Sequence, residues 1–280
     1  MSASAALGIA LEAVSKAEDF EIPGPAGRIP VRLYVPHTED SLPPSVPTLV
    51  YYHGGGFVAG DLESHDRLLR ALANRSRCIV VSAAYRLAPE NPYPAGHDDA
   101  WAALMWVAAH ASDIGADPQR LAVGGDSSGR SPGCIGSAES GERWPGAASS
   151  IASLSKPRRY HLEAILEGIR NRRLPRFTRR DDRAVRCVPA PGSQSKGSEG
   201  IPSRRDGPGR RCACSIVTAD HDPLHDEGEE YAAKLKGANV AVDHTCWPGM
   251  VHGLASLAGV LDAGRILIDQ TGAALRKAFE

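Results

Sequence analysis

Three short apolar runs in the first half of the chain each stop at glycine, serine or a polar loop: LVYYHGGG at 49–56, CIVVSAAYR at 78–86 and RLAVGGDSS at 120–128. Apolar runs this short, rich in Val, Ile and Tyr, read as strands buried on both faces, because a half-wet strand alternates and a helix needs ten or more residues. Between them lie helical stretches. SHDRLLRALANRS at 64–76 sets Leu68, Leu69 and Leu72 on one face with Ser64 as its expected N-cap, and HDDAWAALMWVAAHASDIG at 97–115 opens on Asp98 and Asp99, where the helix dipole favours negative charge. Parallel strands cannot be joined by a hairpin and need a crossover, normally a helix. Strand, helix, strand, helix, strand therefore predicts an α/β fold, a mostly parallel sheet with helices on both faces.

Ahead of this pattern, DFEIPGPAG and RIPVRLYVP read as an edge hairpin around a Pro/Gly turn, with alternation clearest at Ile29, Val31, Leu33 and Val35. The rhythm resumes after Arg211. SIVTAD is a strand, DEGEEYAAKLKGA a helix ending near Gly237, NVAVDHTCW a strand and LDAGRILIDQTGAALRKAFE a closing amphipathic helix. The whole is expected to be one domain, residues 1–280.

The stretch between is different in kind. Residues 130–211 carry 16 Arg and 2 Lys against 8 acids, a net +10, whereas the remaining 14 bases and 25 acids give −11, so the overall charge of −1 averages two compositions. Only 12 of its 82 residues are Leu, Ile, Val or Phe, too few for the interior of a sheet. YHLEAILEGIR at 160–170 is the only helical pattern in it.

Six scattered cysteines form no disulfide framework, and Cys212-x-Cys214 lacks a second ligand pair, so no metal site is expected. The first seventeen residues have no basic start and are interrupted by Glu12, which argues against a signal peptide. No segment reaches the roughly 18 apolar residues of a membrane span, so a cytoplasmic protein is expected.

Three places carry chemistry. Gly125-Asp126-Ser127-Ser128-Gly129 fits G-x-S-x-G at a strand end, where small residues two positions either side of a serine allow a turn tight enough to expose its hydroxyl. His53-Gly54-Gly55-Gly56 ends another strand, and successive glycines let backbone N–H groups approach a developing oxyanion. No helix with Lys-Ser/Thr follows them, as a phosphate loop would require. Asp222 and His252 follow the last two strands and complete the chain order serine, acid, histidine, with Asp220 and Asp226 as rival acids.

Taken together, YYHGGGFVAGDLESHD, SAAYRLAPENPYPA, GGDSSG, DPLHDEG and VHG resemble the successive signatures of the hormone-sensitive-lipase-like family of carboxylesterases, within the α/β-hydrolase fold, over about 19–129 and 213–280. The resemblance implies hydrolysis of short to medium acyl esters, small-molecule substrates, without a cofactor. It implies Ser127 as nucleophile, His252 as general base and then acid, and Asp222 as the acid that orients it. The N–H groups of Gly55, Gly56 and Ser128 would line the oxyanion hole, and His53 would shape the glycine loop.

The departures from that family lie in 130–211, where a helix after the serine, a core strand and a cap are expected and a Ser/Pro/Gly/Arg tract stands instead. The first residues are also shorter than the family's usual N-terminal cap helices. Yet the spacings, 95 residues from Ser127 to Asp222 and 30 from Asp222 to His252, are those the resemblance implies. Kept length with lost pattern fits a compensated frameshift, one small indel near the codon for Gly129 and a second near Arg211. On this reading the sheet is disrupted between 130 and 211, two ladders open in its middle, and the chain is poorly folded with little or no esterase activity. Two alternatives compete. The +10 segment suggests a nucleic-acid- or partner-binding protein, which the near absence of aromatics among its arginines opposes, and the same fold could cleave amide or peptide bonds.

Overall fold

The structure, a computed structural model, describes residues 7–39, 42–129, 150–153, 213–237 and 240–280. Its strands are β1 (Lys16–Gly24), β2 (Gly27–Val35), β3 (Val46–Tyr52), β4 (Ile79–Ala83), β5 (Ala116–Gly125), β6 (Ser150–Ser153), β7 (Ala213–His221) and β8 (Ala241–Val251). The helices are α1 (Asp66–Ser76), α2 (Ala95–Ala109), α3 (His225–Gly237) and α4 (Asp262–Phe279). All eight strands form one sheet in the order β1-β2-β4-β3-β5-β6-β7-β8. The β1–β2 hairpin is antiparallel, as is its junction with β4, and every pair from β4 to β8 is parallel.

The order explains why β3, β4 and β5 are apolar without alternation: each has a strand on both sides and helices on both faces. Successive side chains of β3 point to opposite faces. Val50 and Tyr52 join Ala100, Ala103, Leu104 and Val107 of α2 in one cluster, while Leu49 and Tyr51 join Leu68, Leu69 and Leu72 of α1 and Ile268, Leu275 and Phe279 of α4 in the other. Tyr52, fully buried, places its hydroxyl by donating to the Ala100 carbonyl at 2.6 Å. A third, smaller cluster packs α3 through Tyr231, Ala232 and Leu235 onto Cys214 and Ile216 of β7.

Residues 130–211 were expected to contribute no core strand; within them the structure describes one short strand, β6, between β5 and β7. Val123, Gly124 and Gly125 of β5 pair with Ser150, Ile151 and Ala152, and Ser150–Ser153 pair in turn with Cys214–Val217 of β7. Four residues of backbone suffice because a ladder is built from N–H and C=O groups, which every residue but proline carries, whatever its side chain. Over these residues the parallel ladder runs from β5 through β6 to β7. The expected helix at 160–170, and the remainder of the basic tract, lie outside the described residues.

Two smaller expectations also change. The N-cap of α1 is His65 rather than Ser64, whose hydroxyl instead donates to the Asp61 carbonyl at 2.8 Å and closes the turn before the helix. In α2 only Asp98 lies in the first turn. Asp99 is buried and receives Arg86 through three bonds, from the backbone N–H at 3.0 Å, Nε at 2.7 Å and Nη2 at 2.8 Å, so it anchors the loop after β4 rather than serving the dipole. Among the described residues no helix is long and apolar enough to cross a membrane.

Candidate active site

The sheet delivers the site residues at the carboxyl ends of its strands, where loops of a parallel sheet converge. His53 to Gly56 follow β3, Asp126 and Ser127 follow β5, Asp222 follows β7 and His252 follows β8. β8 runs on to Val251, four residues beyond the apolar pattern at 239–247, and so carries His252 directly at its end.

Ser127 sits at φ 50°, in the left-handed region that costs a non-glycine residue energy and is held only by its surroundings. Those surroundings explain the motif. A Cβ on Gly125 would lie 2.5 Å from the Gly129 backbone and 2.6 Å from the Tyr52 carbonyl oxygen, and a Cβ on Gly129 would run into the carbonyls of Tyr52 and His53. The strand end, the turn and the neighbouring loop thus pack backbone on backbone, with no room for side chains. The turn closes through the Gly129 N–H, which donates to the Asp126 carbonyl at 2.8 Å.

The three residues expected to act together meet. Ser127 Oγ lies 2.9 Å from His252 Nε2, and His252 Nδ1 lies 2.8 Å from Asp222 Oδ2. Asp222 accepts through its other oxygen from the Leu224 N–H at 2.8 Å, and its side chain is only 9 % exposed, against 37 % for His252. With Nδ1–H given to the carboxylate, Nε2 is the imidazole nitrogen left to accept the serine proton. The rival acids are placed elsewhere. Asp220 accepts from the Gly249 N–H at 2.8 Å, which lowers its pKa, and Asp226 stands in the first turn of α3.

The glycine loop divides its work. Gly54 N–H donates to Asp126 Oδ1 at 3.0 Å and is committed to structure. Gly55 and Gly56 take φ 131° and 65°, and the Gly55 carbonyl accepts from Val58 and Ala59 at 3.2 and 3.0 Å, folding the loop back on itself. Among the described residues no backbone carbonyl accepts from the N–H of Gly55 or Gly56. Ser128 is buried directly after the serine.

His53 is fully buried and stacked on Tyr85, ring centroids 4.4 Å apart. Burial lowers its pKa, so the neutral ring donates from Nδ1 to the Gly54 carbonyl at 2.8 Å, and the Tyr85 hydroxyl donates to the His53 carbonyl at 2.7 Å. Both contacts are made to the backbone at the start of the glycine loop.

Three residues at the site had no assigned part in the sequence reading. Asp126 accepts from the Tyr51 hydroxyl at 2.9 Å as well as from Gly54, and its Oδ1 lies 2.9 Å from His65 Nε2. Asp126 was inside the serine motif and His65 inside ESHD, but nothing in their spacing, 61 residues apart, announces that they meet.

Comparison with known proteins agrees with this architecture. A family described by the alpha/beta hydrolase fold matches residues 49–131 and 202–256, its second stretch beginning about ten residues before the resemblance read from the motifs. Carboxylesterase NlhH of Mycobacterium tuberculosis is 37 % identical over 271 residues, spanning 90 % of this chain and 79 % of the relative. Esterase LipI of the same organism is 35 % identical over 274 residues, spanning 92 % and 81 %. Among solved structures, an ester hydrolase from the metagenome of Lake Arreo superposes with a TM-score of 0.76 at 32 % identity, covering 99 % of this chain and 87 % of its own. Fold, strand-end motifs and relatives converge, and the chain belongs to the hormone-sensitive-lipase-like family of carboxylesterases, with the α/β-hydrolase fold.

Proposed function

We propose that this protein is a single-domain serine carboxylesterase that hydrolyses short to medium acyl esters of small molecules. The observation that carries the reading is the hydrogen-bonded line from Ser127 Oγ through His252 to Asp222, at 2.9 and 2.8 Å. In the first half-reaction Oγ attacks the acyl carbon while its proton passes to His252 Nε2, and the imidazolium that forms is stabilised by Asp222. The negative charge that develops on the carbonyl oxygen is met by the N–H groups of Gly55, Gly56 and Ser128. The tetrahedral species collapses, His252 returns the proton to the departing alkoxide, and an alcohol leaves an acyl-serine. Water then enters, gives a proton to His252 and its oxygen to the acyl carbon, and the carboxylic acid is released as Ser127 recovers its proton. The sequence uses these side chains and water, and no cofactor.

The expectation of little or no activity rested on an interrupted sheet and on the loss of the helix that follows the serine. The second ground falls outside the described residues; on the first, β6 pairs with both β5 and β7, and from this together with the assembled triad we infer that the chain is active. Hydrolysis of p-nitrophenyl butyrate beside a Ser127→Ala control tests the reading. We expect serine-dependent turnover, with the alanine variant slower by about 10³-fold or more. Equal rates for the two would sink the proposal.

We further propose that the basic composition of 130–211 is the out-of-frame translation of an ancestral helix, strand and cap. What supports this is the preserved spacing around the tract, 95 residues from Ser127 to Asp222, while the family match leaves 132–201 uncovered.

A further inference from the structure

Beyond the triad, α3 and β8 bring together a second group of reactive side chains. His225 opens α3 and Glu229 follows one turn later, so both face the same way. His244 and Cys246 are two apart on β8 and share a face of that strand. The two pairs meet. Cys246 Sγ lies 3.8 Å from His225 Nδ1, His244 Nε2 lies 3.4 Å from Glu229 Oε1, and one donor atom from each of His225, Glu229 and Cys246 falls within 4.8 Å of the others.

We propose that His225, Glu229 and Cys246 form a binding site for a divalent ion of the zinc class, with solvent completing the shell. A thiolate, an imidazole and one carboxylate are the donors that zinc and its first-row neighbours take, whereas calcium and magnesium demand an all-oxygen shell. A tetrahedral ion with bonds of about 2.0–2.3 Å holds its ligand atoms roughly 3.5 Å apart, so the group needs to contract by about 1 Å. The movable member is Glu229, whose side chain is 45 % exposed and can swing inward from solvent, which is also the direction from which an ion would enter. The His225 Nδ1–H donates to the Ala219 carbonyl oxygen at 3.1 Å, which fixes the ring and leaves Nε2 as the nitrogen with a lone pair to offer an ion.

The position gives the ion a consequence. The His225 backbone N–H donates to the Asp222 carbonyl at 3.0 Å, and β8 ends at Val251, next to His252, so an ion joining α3 to β8 ties together the two elements that adjoin Asp222 and His252. The site differs from the esterase reading and stands or falls without it.

Cobalt(II) titrated into the chelator-treated full chain tests the site, because cobalt reports a bound thiolate by a charge-transfer band in the near ultraviolet. The expected result is a band that saturates at one equivalent, disappears in Cys246→Ser, and needs more than about tenfold higher cobalt in His225→Ala and Glu229→Gln. Absence of the band in the unaltered protein, or its persistence in Cys246→Ser, overturns the proposal. Circular dichroism under chelator checks each fold. Should Cys246→Ser fail to fold, the His225→Ala titration decides, and an unchanged affinity there overturns the site equally.

Discussion

Asp126 and His65 approach each other to 2.9 Å, one residue upstream of Ser127. The contact lacks the alignment of a good hydrogen bond, so charge attraction carries it. Burial pushes the Asp126 carboxyl up, but His65, the Tyr51 hydroxyl and the Gly54 N–H together outweigh burial and bring it down to about 2. Burial likewise opposes charge on His65, and Asp126 overcomes it, raising the histidine above its ordinary value. One carboxylate thus ties the serine turn to β3, to the glycine loop and to the start of α1.

The first prediction concerns pH. A carboxylate lowered on folding contributes stability that is complete above its ordinary value of 3.8 and is lost as pH falls toward 2. A histidine raised on folding contributes stability that is complete below 6.5 and is lost as pH rises through its raised value. The pair is therefore strongest between about pH 4 and 6.5, where Asp126 adds about 2 kcal/mol. Urea unfolding at pH 5.5 and pH 8.5 should show a larger loss from Asp126→Asn at the lower pH; an equal loss at both would refute the pairing.

Asp222→Asn should fold normally, since the amide still fills the space and accepts from Leu224 N–H. It would stabilise the wrong tautomer of His252 and leave the imidazolium uncompensated. We expect kcat for p-nitrophenyl butyrate to fall about 10³–10⁴-fold with KM little changed. A loss below tenfold would move the acid's role to Asp220 or elsewhere.

Gly129→Ala should destabilise the fold outright, because its methyl group would overlap the Tyr52 and His53 carbonyls, both of them backbone and unable to step aside. A cost above about 3 kcal/mol, or insoluble expression, is expected. Thermal unfolding within a few degrees of the parent would show that the turn relaxes more than the packing allows.

Resequencing the gene checks the origin of the basic tract. Shifting the frame by one base near the Gly129 codon should restore an Asn/Leu/Ala-rich helix and an apolar strand before Arg211. Failure to find either in both alternative frames would make the tract a genuine insertion.

Much of this was legible in the sequence because it is local. β3, β4 and β5 announce themselves as unbroken apolar runs, and Gly125, Ser127 and Gly129 state a turn by their spacing alone. Asp222 and His252 were readable through chain order, each at a strand end. β6 was not, because Ser150-Ile-Ala-Ser153 has little apolar content and is set by its two neighbours through backbone pairing. The Asp126–His65 contact was hidden for a related reason. Both residues look like ordinary turn and cap positions until the sheet places β3 beside β5 and closes a gap of 61 residues. His225, Glu229 and Cys246 likewise share no sequence motif and are joined only by the packing of α3 on β8.

The bond between Ser127 and His252 spans 125 residues. On the ribosome the serine turn emerges first, the carboxylate much later and the imidazole last of the three. Nearly half of the chain is therefore synthesised between the serine and the histidine, and the contact between them forms only when β8 docks at the far edge of the sheet.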